Sequence, residues 1–428
     1  MKTLITGGGV ISMDAAIGDI ERGDVLIEDG VIVDVAARID LPDTGTTGTT
    51  EVIDASDRVV MPGFVDNHRH TWQTAFRGVG ADWTFADYAA VIHGMLKPQY
   101  RPEDVYIGNL FGRVEALNSG VTTMLDWFHA AQTPEHADAA IAGLRAAPGR
   151  SIFCYGAGYR TDQPVDTEVR RVRALLPDDA MALGLRGPDE TTMANVRADL
   201  ELADELGLRA SVHVDGLDGH RPITALHEHG LLRATTTYVH ANGLTDEEIR
   251  LIADSGGSVS ISPDVELKMG FGQPETGRML AAGLRPTLSA DDVPAAAGDL
   301  FATMRTAYAA QRGLDGGLTS RDLLAFTTVN AADACGLPTG SLSPGKAADV
   351  ILLRTDDPAV FPFNNPVGTI VTAAHPGLVD TVLVAGRVVK RAGQLLGVDL
   401  PALRTRLLES RDHVAVAAGF PVDGTWHR

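Results

Sequence analysis

The sequence predicts an α/β protein, a distorted (β/α)8 (TIM) barrel that carries a small β-sandwich formed from both chain ends. From about residue 58 to 337, short apolar runs typical of strands alternate with Ala/Leu/Arg-rich stretches typical of helices. Both chain ends consist instead of short strand patterns separated by turns. The 428 residues also exceed what one hydrophobic core usually serves, which favours a large domain with a smaller companion.

The middle of the chain supplies most of the strands of the barrel. Beyond the apolar run that starts at residue 58, strand patterns occur at 122–126, 151–155, 182–185, 210–214, 237–240, 258–261 and 285–289. Helical patterns accompany them, among others at 192–206, 245–255 and 300–312. Seven or eight strand–helix units of this kind are what a (β/α)8 barrel requires.

The two chain ends supply the sandwich. Strand patterns occur at 2–5, 24–28, 31–36, 350–353, 381–384 and 387–391. Asp29-Gly30 is a hairpin signal between two of them. We therefore predict a composite β-sandwich from 1–57 and 338–395, a barrel from 58–337, and a C-terminal helix and tail from 396–428.

Composition excludes several classes of function. Lys+Arg 36 against Asp+Glu 56 gives a net charge of −20, and no basic run occurs, so neither nucleic acid nor an anionic membrane is an expected partner. The two cysteines lie in apolar surroundings, which suits a reducing compartment. The N-terminus lacks a signal-peptide pattern, and we predict a cytoplasmic protein.

The strongest chemical signal is the pair His68 and His70 at the end of an apolar run. On a strand, residues two apart leave the same face roughly 7 Å apart, so both imidazoles can reach one ion. Pro62 and Gly63 bend the chain just before this strand, which indicates a junction between two structural units. Two histidines can also cap a strand, so the pair needs support from elsewhere in the chain.

That support comes from later strand ends. His213, His240 and Asp291 each follow a predicted strand, and the active sites of such barrels lie at these ends. Each residue alone is more often a hydrogen-bonded core or loop residue. As an ordered set, His68, His70, His213 and Asp291 provide three nitrogen donors and one oxygen donor, which suits Zn²⁺ or Fe²⁺ with a position left for water.

At this point the sequence resembles the amidohydrolase superfamily, in the branch of cytosine, guanine and S-adenosylhomocysteine deaminases and triazine chlorohydrolases. The resemblance spans nearly the whole chain and is carried by the motifs MPGFVDNHRH at 61–70, SGVTT at 119–123, VHANGLTDEE at 239–248, LSAD at 288–291 and GSLSPGKAAD at 340–349. It implies a distorted barrel and a metal held by the four residues above. It also implies that His240 contacts the attacking water or the substrate, and that Asp291 takes the proton of the water.

The metal count follows from a missing residue. Relatives with two metal ions bridge them with a carboxylated lysine from a middle strand, whereas no lysine occurs here between Lys97 and Lys268. We therefore expect one divalent ion, zinc first and iron as the alternative. A second ion held by carboxylates alone is the interpretation left open.

One position departs from the resemblance. Deaminases of this branch carry a glutamate three residues after the third histidine, where this chain has Gly216. That glutamate moves a proton to the leaving group. We predict Asp215 or Asp218 as the replacement proton shuttle; Asp189 and His220 are further alternatives, and all four are also compatible with surface loop positions.

Substrate contacts are predicted near the strand ends, because aromatic surfaces suit flat heterocycles. The predicted substrate-binding residues are Trp72, Gln73, Trp83, His129, Tyr155 and Glu266, with Trp127 and Arg160 as further candidates. The alternative is that most of them pack the barrel rim. Glu266 lies in a segment, 263–272, that replaces a family loop which often holds substrate.

We therefore predict a metal-dependent hydrolase that attacks an sp² carbon of a nitrogen heterocycle, with deamination of an amino-substituted purine, pyrimidine, pterin or triazine-like ring as the first hypothesis. The second hypothesis is a hydrolase on the same scaffold that expels chloride or an amine, or opens a cyclic amide. The third is a catalytically silent barrel, which the intact ligand set disfavours. The expected partner is a small heterocyclic substrate, and a homo-oligomer is compatible with the fold.

Overall fold

The computed structural model describes residues 1–41, 50–157, 165–177, 179–314 and 316–422. Its strands, in chain order, are β1 (Lys2–Ile11), β2 (Asp19–Glu28), β3 (Val31–Ala36), β4 (Thr50–Asp54), β5 (Arg58–Pro62), β6 (Phe64–Arg69), β7 (Val121–Phe128), β8 (Arg150–Gly156), β9 (Met181–Gly184), β10 (Arg209–Asp215), β11 (Thr236–Asn242), β12 (Ser258–Ile261), β13 (Thr287–Leu288), β14 (Val350–Arg354), β15 (Val379–Val384), β16 (Arg387–Arg391) and β17 (Gln394–Leu395).

The α-helices are α1 (Phe85–Tyr88), α2 (Pro102–Asn118), α3 (Pro134–Ala146), α4 (Asp166–Arg173), α5 (Met193–Glu205), α6 (Pro222–Glu228), α7 (Asp246–Ser255), α8 (Pro263–Met269), α9 (Thr276–Ala281), α10 (Leu300–Leu314), α11 (Ser320–Phe326), α12 (Val329–Cys335), α13 (Pro366–Thr372) and α14 (Leu400–Ala418). A π-helical segment, Ala89–Leu96, follows α1. None of the helices in the described ranges has both the length and the apolar character needed to cross a membrane.

Strands β6 to β13 form one sheet in sequential order, and every ladder in it is parallel. The sheet curls until its two edge strands meet, where a parallel bridge joins Arg69 to Asp291. The remaining strands form a mixed nine-stranded sheet that contains both chain ends. The predicted fold class is confirmed: a distorted (β/α)8 barrel carries a β structure built from both chain ends, and the strands predicted as a small β-sandwich form one mixed sheet.

The turn at Pro62-Gly63 separates the two sheets. β5 pairs with β1 and β14 in the sheet of the chain ends. β6, which begins directly after Gly63, is the first strand of the barrel. Gly63 is required there, because a Cβ at this position would lie 2.2 Å from the side chain of Thr122. The chain thus changes sheets at the junction that the sequence indicated; the division into domains stays a prediction.

Two apolar layers stabilise the barrel. Its inner layer includes Val65, Trp127 and Cys154, and α12 packs against this cluster through Cys335. The outer layer packs the helices against the opposite faces of the strands. Helix boundaries follow local chemistry: α7 starts with a capping box between Thr245 and Glu248.

Arg113 fastens α2 to the barrel. Its fully buried guanidinium donates hydrogen bonds to the carbonyl oxygens of Val121, Thr122 and Arg150 at 2.6–3.1 Å, where β7 and β8 begin. Burial lowers the pKa of this guanidinium to about 9. Gly149 leaves the space for it, because a Cβ there would lie 1.8 Å from Arg113 Nη2.

We predict that Arg113→Met lowers the free energy of unfolding by about 3 kcal/mol, because the buried carbonyl groups of Val121 and Thr122 and the partly buried one of Arg150 lose their donor. Urea unfolding followed by circular dichroism measures the change. Arg404→Met, at an exposed position of α14, is the matched control and should leave the midpoint unchanged. Equal midpoints for the two variants would contradict this role of Arg113.

Candidate metal centre and active site

The predicted site residues converge at the carboxyl ends of the barrel strands. His68 and His70 stand at the end of β6, His213 in β10, His240 in β11, and Asp291 just after β13. The ring centroid of His68 lies 4.7 Å from that of His70 and 4.9 Å from that of His213. Residues far apart in sequence therefore form one cluster, as the strand-end pattern predicts.

A β-bulge sets the direction in which the histidines at the end of β6 point. The pairing with β7 passes from Asp66 opposite Met124 to Arg69 opposite Asp126, so three steps on β6 match two on β7. Asn67, before the first histidine, also faces the barrel interior, because Ser260 and Thr287 each donate a hydroxyl hydrogen bond to its Oδ1 at 2.9 Å. Asn67 and His68, neighbours in sequence, thus both point inward.

Asp291 lies at the centre of the cluster. Its Oδ1 is 3.4 Å from Nε2 of both His68 and His70, and its Oδ2 is 3.7 Å from Nε2 of His240. Burial raises the pKa of this carboxyl, but the contact with His68 and the neighbouring imidazoles outweigh burial and hold the pKa below its usual value. The carboxylate is therefore charged and available to a cation.

The histidines are prepared to act as ligands. Both ring nitrogens of His68 are buried and have no hydrogen-bond partner among the described residues. His70 Nδ1 donates to the carbonyl oxygen of Trp127 at 2.6 Å, which leaves the Nε2 lone pair facing Asp291. Burial lowers the pKa of His68 and His213, and that of His70 to about 3, so all three are neutral at pH 7.

These features fit a bound metal ion. Two overlapping groups, His68–His70–Asp291 and His68–His213–His240, each place one ligand atom per residue within 4.8 Å of the others. Neutral imidazoles, a carboxylate and buried nitrogens without partners are what a divalent ion with nitrogen and oxygen ligands needs.

His240 lies between two carboxylates. Its Nδ1 donates to Glu266 Oε1 at 3.3 Å, and its Nε2 faces Asp291. Burial lowers the pKa of His240, but the hydrogen bond to Glu266 and the charge of Asp291 raise it above its usual value. The backbone has φ 66° at His240 and φ 57° at Ala241, a conformation that is rare for residues other than glycine and that clusters at functional sites.

The position of the absent glutamate is closed. A Cβ on Gly216 would lie 2.4 Å from the carbonyl oxygen of Gly243, so no side chain fits there unless the backbone moves. Gly216 N–H also donates to the carbonyl oxygen of Asn242. The glycine is thus part of the packing between β10 and the segment after β11.

The four alternative proton donors lie at different depths. Asp215 is partly buried, and its charge contributes to raising the pKa of His240. Asp218 is exposed and has φ 52°. Asp189 and His220 face each other at 3.7 Å outside the cluster. Proximity to His240 therefore favours Asp215 over Asp218.

The predicted substrate residues divide into three groups. Trp72 and Gln73 are buried in the wall, where Trp72 Nε1 donates to His129 Nδ1 at 3.3 Å and Gln73 Nε2 donates to the Tyr88 hydroxyl at 2.6 Å. His129 and Glu266 contact the cluster itself, because the ring of His129 is 4.3 Å from that of His70.

The third group lies further out. Tyr155 is nearly buried at the end of β8, and Trp83 is half-buried with its ring 6.4 Å from that of Phe420. Trp127 lies beneath the cluster, its ring 4.5 Å from that of His213, and donates to Ser211. Arg160 lies outside the described residues.

Sequence reasoning missed His93, which lies in a helical pattern without a recognisable motif. In the structure its ring is 4.6 Å from that of His129, so it extends the histidine cluster. Burial lowers its pKa to about 3. The segment that carries it is π-helical, a feature frequent at functional sites but without a clear sequence signature.

A family comparison accounts for this arrangement. Residues 59–389 match the model of the amidohydrolase family. The chain belongs to this family. Family membership agrees with the resemblance seen in the sequence motifs, and it makes the chain a hydrolase acting on carbon–nitrogen bonds.

Two curated relatives are similar over nearly their whole length. A 5'-deoxyadenosine deaminase of Methanothermobacter thermautotrophicus is 30% identical over 92% of this chain and 94% of that protein. A 5-methylthioadenosine/S-adenosylhomocysteine deaminase of Pyrococcus furiosus is 28% identical over 91% of this chain and 96% of that protein.

Two solved structures share the fold. An adenosine deaminase from Xanthomonas campestris with bound zinc superposes with a TM-score of 0.86, at 23% identity, over 97% of this chain and 98% of that one. The atrazine chlorohydrolase TrzN from Arthrobacter aurescens TC1, complexed with zinc, has a TM-score of 0.84 at 24% identity, over 96% of this chain and 100% of that one.

We predict that His68→Ala, His213→Ala and Asp291→Ala each weaken zinc binding by at least about tenfold, because each removes a candidate ligand atom. Metal content after dialysis against a competing chelator measures the effect. His227→Ala, an exposed histidine of α6, is the matched control. Full zinc content in all three variants would exclude this ligand set.

We also predict that Gly216→Ala destabilises the fold by about 1–3 kcal/mol, because its Cβ would overlap the Gly243 backbone. Thermal unfolding measures the change. Gly313→Ala, in α10 with open space around the new Cβ, is the control and should be neutral or stabilising. A stable Gly216→Ala protein would show that the position is not closed.

Proposed function

We propose that the chain is a metal-dependent aminohydrolase that deaminates an amino-substituted purine, with an adenosine-type nucleoside as the first substrate class. The observation that carries the proposal is the convergence of His68, His70, His213 and Asp291 beside His240 at the carboxyl ends of the barrel strands. The curated relatives named above, deaminases of adenosine derivatives that match nearly end to end, support the substrate class.

His68, His70, His213 and Asp291 would hold one divalent ion, zinc first and iron as the alternative. Bound there, the ion would lower the pKa of a water molecule and so make it a nucleophile at neutral pH. The zinc-containing structures with the same fold support zinc. Lysine is absent between Lys97 and Lys268, which supports a single ion.

The protein residues would handle the protons. Asp291 is held ionised, so its carboxylate can accept the proton of the attacking water. His240 is held by Glu266 on one side and presents Nε2 towards Asp291. From there it can donate a hydrogen bond to the oxygen that gains negative charge on the attacked carbon of the substrate. Asp215, near His240, is our first choice for protonating the leaving amine, and Asp218 is the second.

Substrate would be held against the wall formed by His129, Tyr155 and the Glu266–His240 pair. A flat ring can stack on the His129 imidazole, and the buried Glu266 can accept a hydrogen bond from an amino or ring N–H group. Glu266 Oε2 is buried and has no partner among the described residues. A buried acceptor of this kind discriminates strongly for a ligand with the matching donor.

The closed position at Gly216 favours a second candidate. Without the family glutamate, a leaving group that needs less protonation reacts more readily. Expulsion of chloride or of a less basic amine, or opening of a cyclic amide, is therefore the alternative reaction on the same scaffold.

A cytoplasmic location belongs to the same proposal, supported by two buried cysteines that form no disulfide.

Assays of the zinc-quantified protein separate these candidates. The substrates are adenosine, 5'-deoxyadenosine, 5'-methylthioadenosine and S-adenosylhomocysteine, then guanine, cytosine, a pterin and an aminotriazine, each with its chloro or cyclic-amide analogue. Ammonia release from an adenosine derivative, lost on chelation, supports the proposal. Turnover of only the chloro or cyclic-amide compounds would replace it by the alternative, and a zinc-loaded protein without any turnover would contradict both.

We predict that Glu266→Gln lowers kcat/KM by about 10–100-fold, because the neutral amide no longer provides the negative charge that faces the His240 imidazole. Steady-state kinetics on the best substrate measure it. Asp264→Asn is the matched control, since it makes the same chemical change two residues earlier in α8, where the carboxylate accepts from Thr306. Equal kinetics of Glu266→Gln and wild type would exclude a role for the Glu266 charge.

A further inference from the structure

A second cavity lies at the other end of the barrel. It has a volume of about 260 Å³. Its lining includes Met181 and Arg209, which begin β9 and β10, whereas the metal ligands lie at the carboxyl ends of the strands. The exposed residues Gly207 and Gly336 stand at its rim, so the cavity opens to the surface. It is therefore separate from the site proposed for catalysis.

We call this cavity, at the amino ends of the barrel strands, the floor cavity. Much of its wall is apolar. Leu125, Ile152, Met181 and Leu337 line it, and all four side chains are buried. Cys335 also lines it, and its thiol is buried. Burial raises the pKa of this thiol to about 12, so it carries no charge at pH 7. Asp179, also part of the lining, is exposed at the rim, so a ligand would bury an apolar body against the uncharged walls further in.

Arg209, a cation in the lining, has no partner among the described residues. Arg209 is half-buried and lies against Gly336, where a Cβ would come 2.4 Å from its Nε. Across the described ranges, its guanidinium takes part in no hydrogen bond or ion pair. Asp179, exposed at the rim, forms no ion pair with it either. A guanidinium left free beside an apolar cavity is a binding group for an anion.

The inner end of the cavity offers a second polar group. Asn67 is 1% exposed, and its Oδ1 accepts hydrogen bonds from Ser260 and Thr287. Its Nδ2 is buried and, within the described part of the chain, has no partner. Since the cavity is lined by Asn67, this amide can donate to an oxygen at the far end of a ligand.

We propose that the floor cavity is a binding site for a small carboxylate with an apolar body and a second oxygen at the opposite end. The carboxylate pairs with Arg209, the body packs between Leu125 and Leu337, and the distal oxygen accepts from Asn67 Nδ2. The volume suits a single-ring or short-chain acid, just below the usual range for drug-sized ligands. Asn67 directly precedes His68, so the site contacts the strand that carries the metal ligands.

Isothermal titration of the zinc-loaded protein tests the site with 4-hydroxybenzoate, benzoate and the neutral 4-hydroxybenzamide. We expect saturable binding of 4-hydroxybenzoate, weaker binding of benzoate, and binding of the amide weaker by at least about tenfold, since the charge on Arg209 is unused. No saturable binding of either carboxylate would overturn the proposal, because the cavity would then hold water only.

Two variants locate the binding. Arg209→Met keeps the aliphatic stem and removes the charge, and Ala334→Leu fills the cavity from a partly exposed position of α12. Each should weaken 4-hydroxybenzoate binding at least about tenfold, while Arg404→Met should not. Unchanged binding in both folded variants would place the ligand on the metal instead and overturn the proposal. The result does not depend on which reaction the enzyme catalyses.

Discussion

Two backbone hydrogen bonds close the barrel, and the whole site depends on them. Asp291 N–H donates to the carbonyl oxygen of His68 at 3.1 Å, and His70 N–H donates to that of Asp291 at 2.8 Å. This pairing holds Asp291 at φ 60°, a conformation that costs a non-glycine residue of order 1 kcal/mol or more. The closure of the fold and the placement of the carboxylate between the imidazoles are therefore the same interaction.

Burial then determines the charge of each group. The low-dielectric interior keeps His68, His70 and His213, the proposed ligands, neutral, and Asp291 stays ionised only because imidazoles surround it. The adjacent Asp292 shows the opposite outcome: burial and the charge of Asp291 raise its pKa to about 8. The set of His68, His70, His213 and Asp291, with one ionised carboxylate and three neutral imidazoles, has room for a cation and little tolerance for further negative charge.

The sequence was sufficient for the architecture and for the clustering of the candidate donors, because histidines two residues apart on a strand and polar residues at strand ends are local patterns. It could not reveal the bulge in β6, which exists only in the pairing with β7. Nor could it reveal the contact of His93 with His129, since a π-helical segment has no clear residue preference. β13 spans only two residues, fewer than the strand pattern at 285–289 predicts.

Gly216 is the position at which this chain differs from the resemblance in a residue expected to carry a proton. The space where a side chain would stand is occupied by the backbone of Gly243, which itself has φ 68° and follows the left-handed pair His240 and Ala241. Replacing a glutamate by this glycine therefore involves the path of the chain after β11 as well as one side chain. His240 belongs to that same segment, so the backbone that closes the space beside Gly216 also carries the histidine that contacts Glu266.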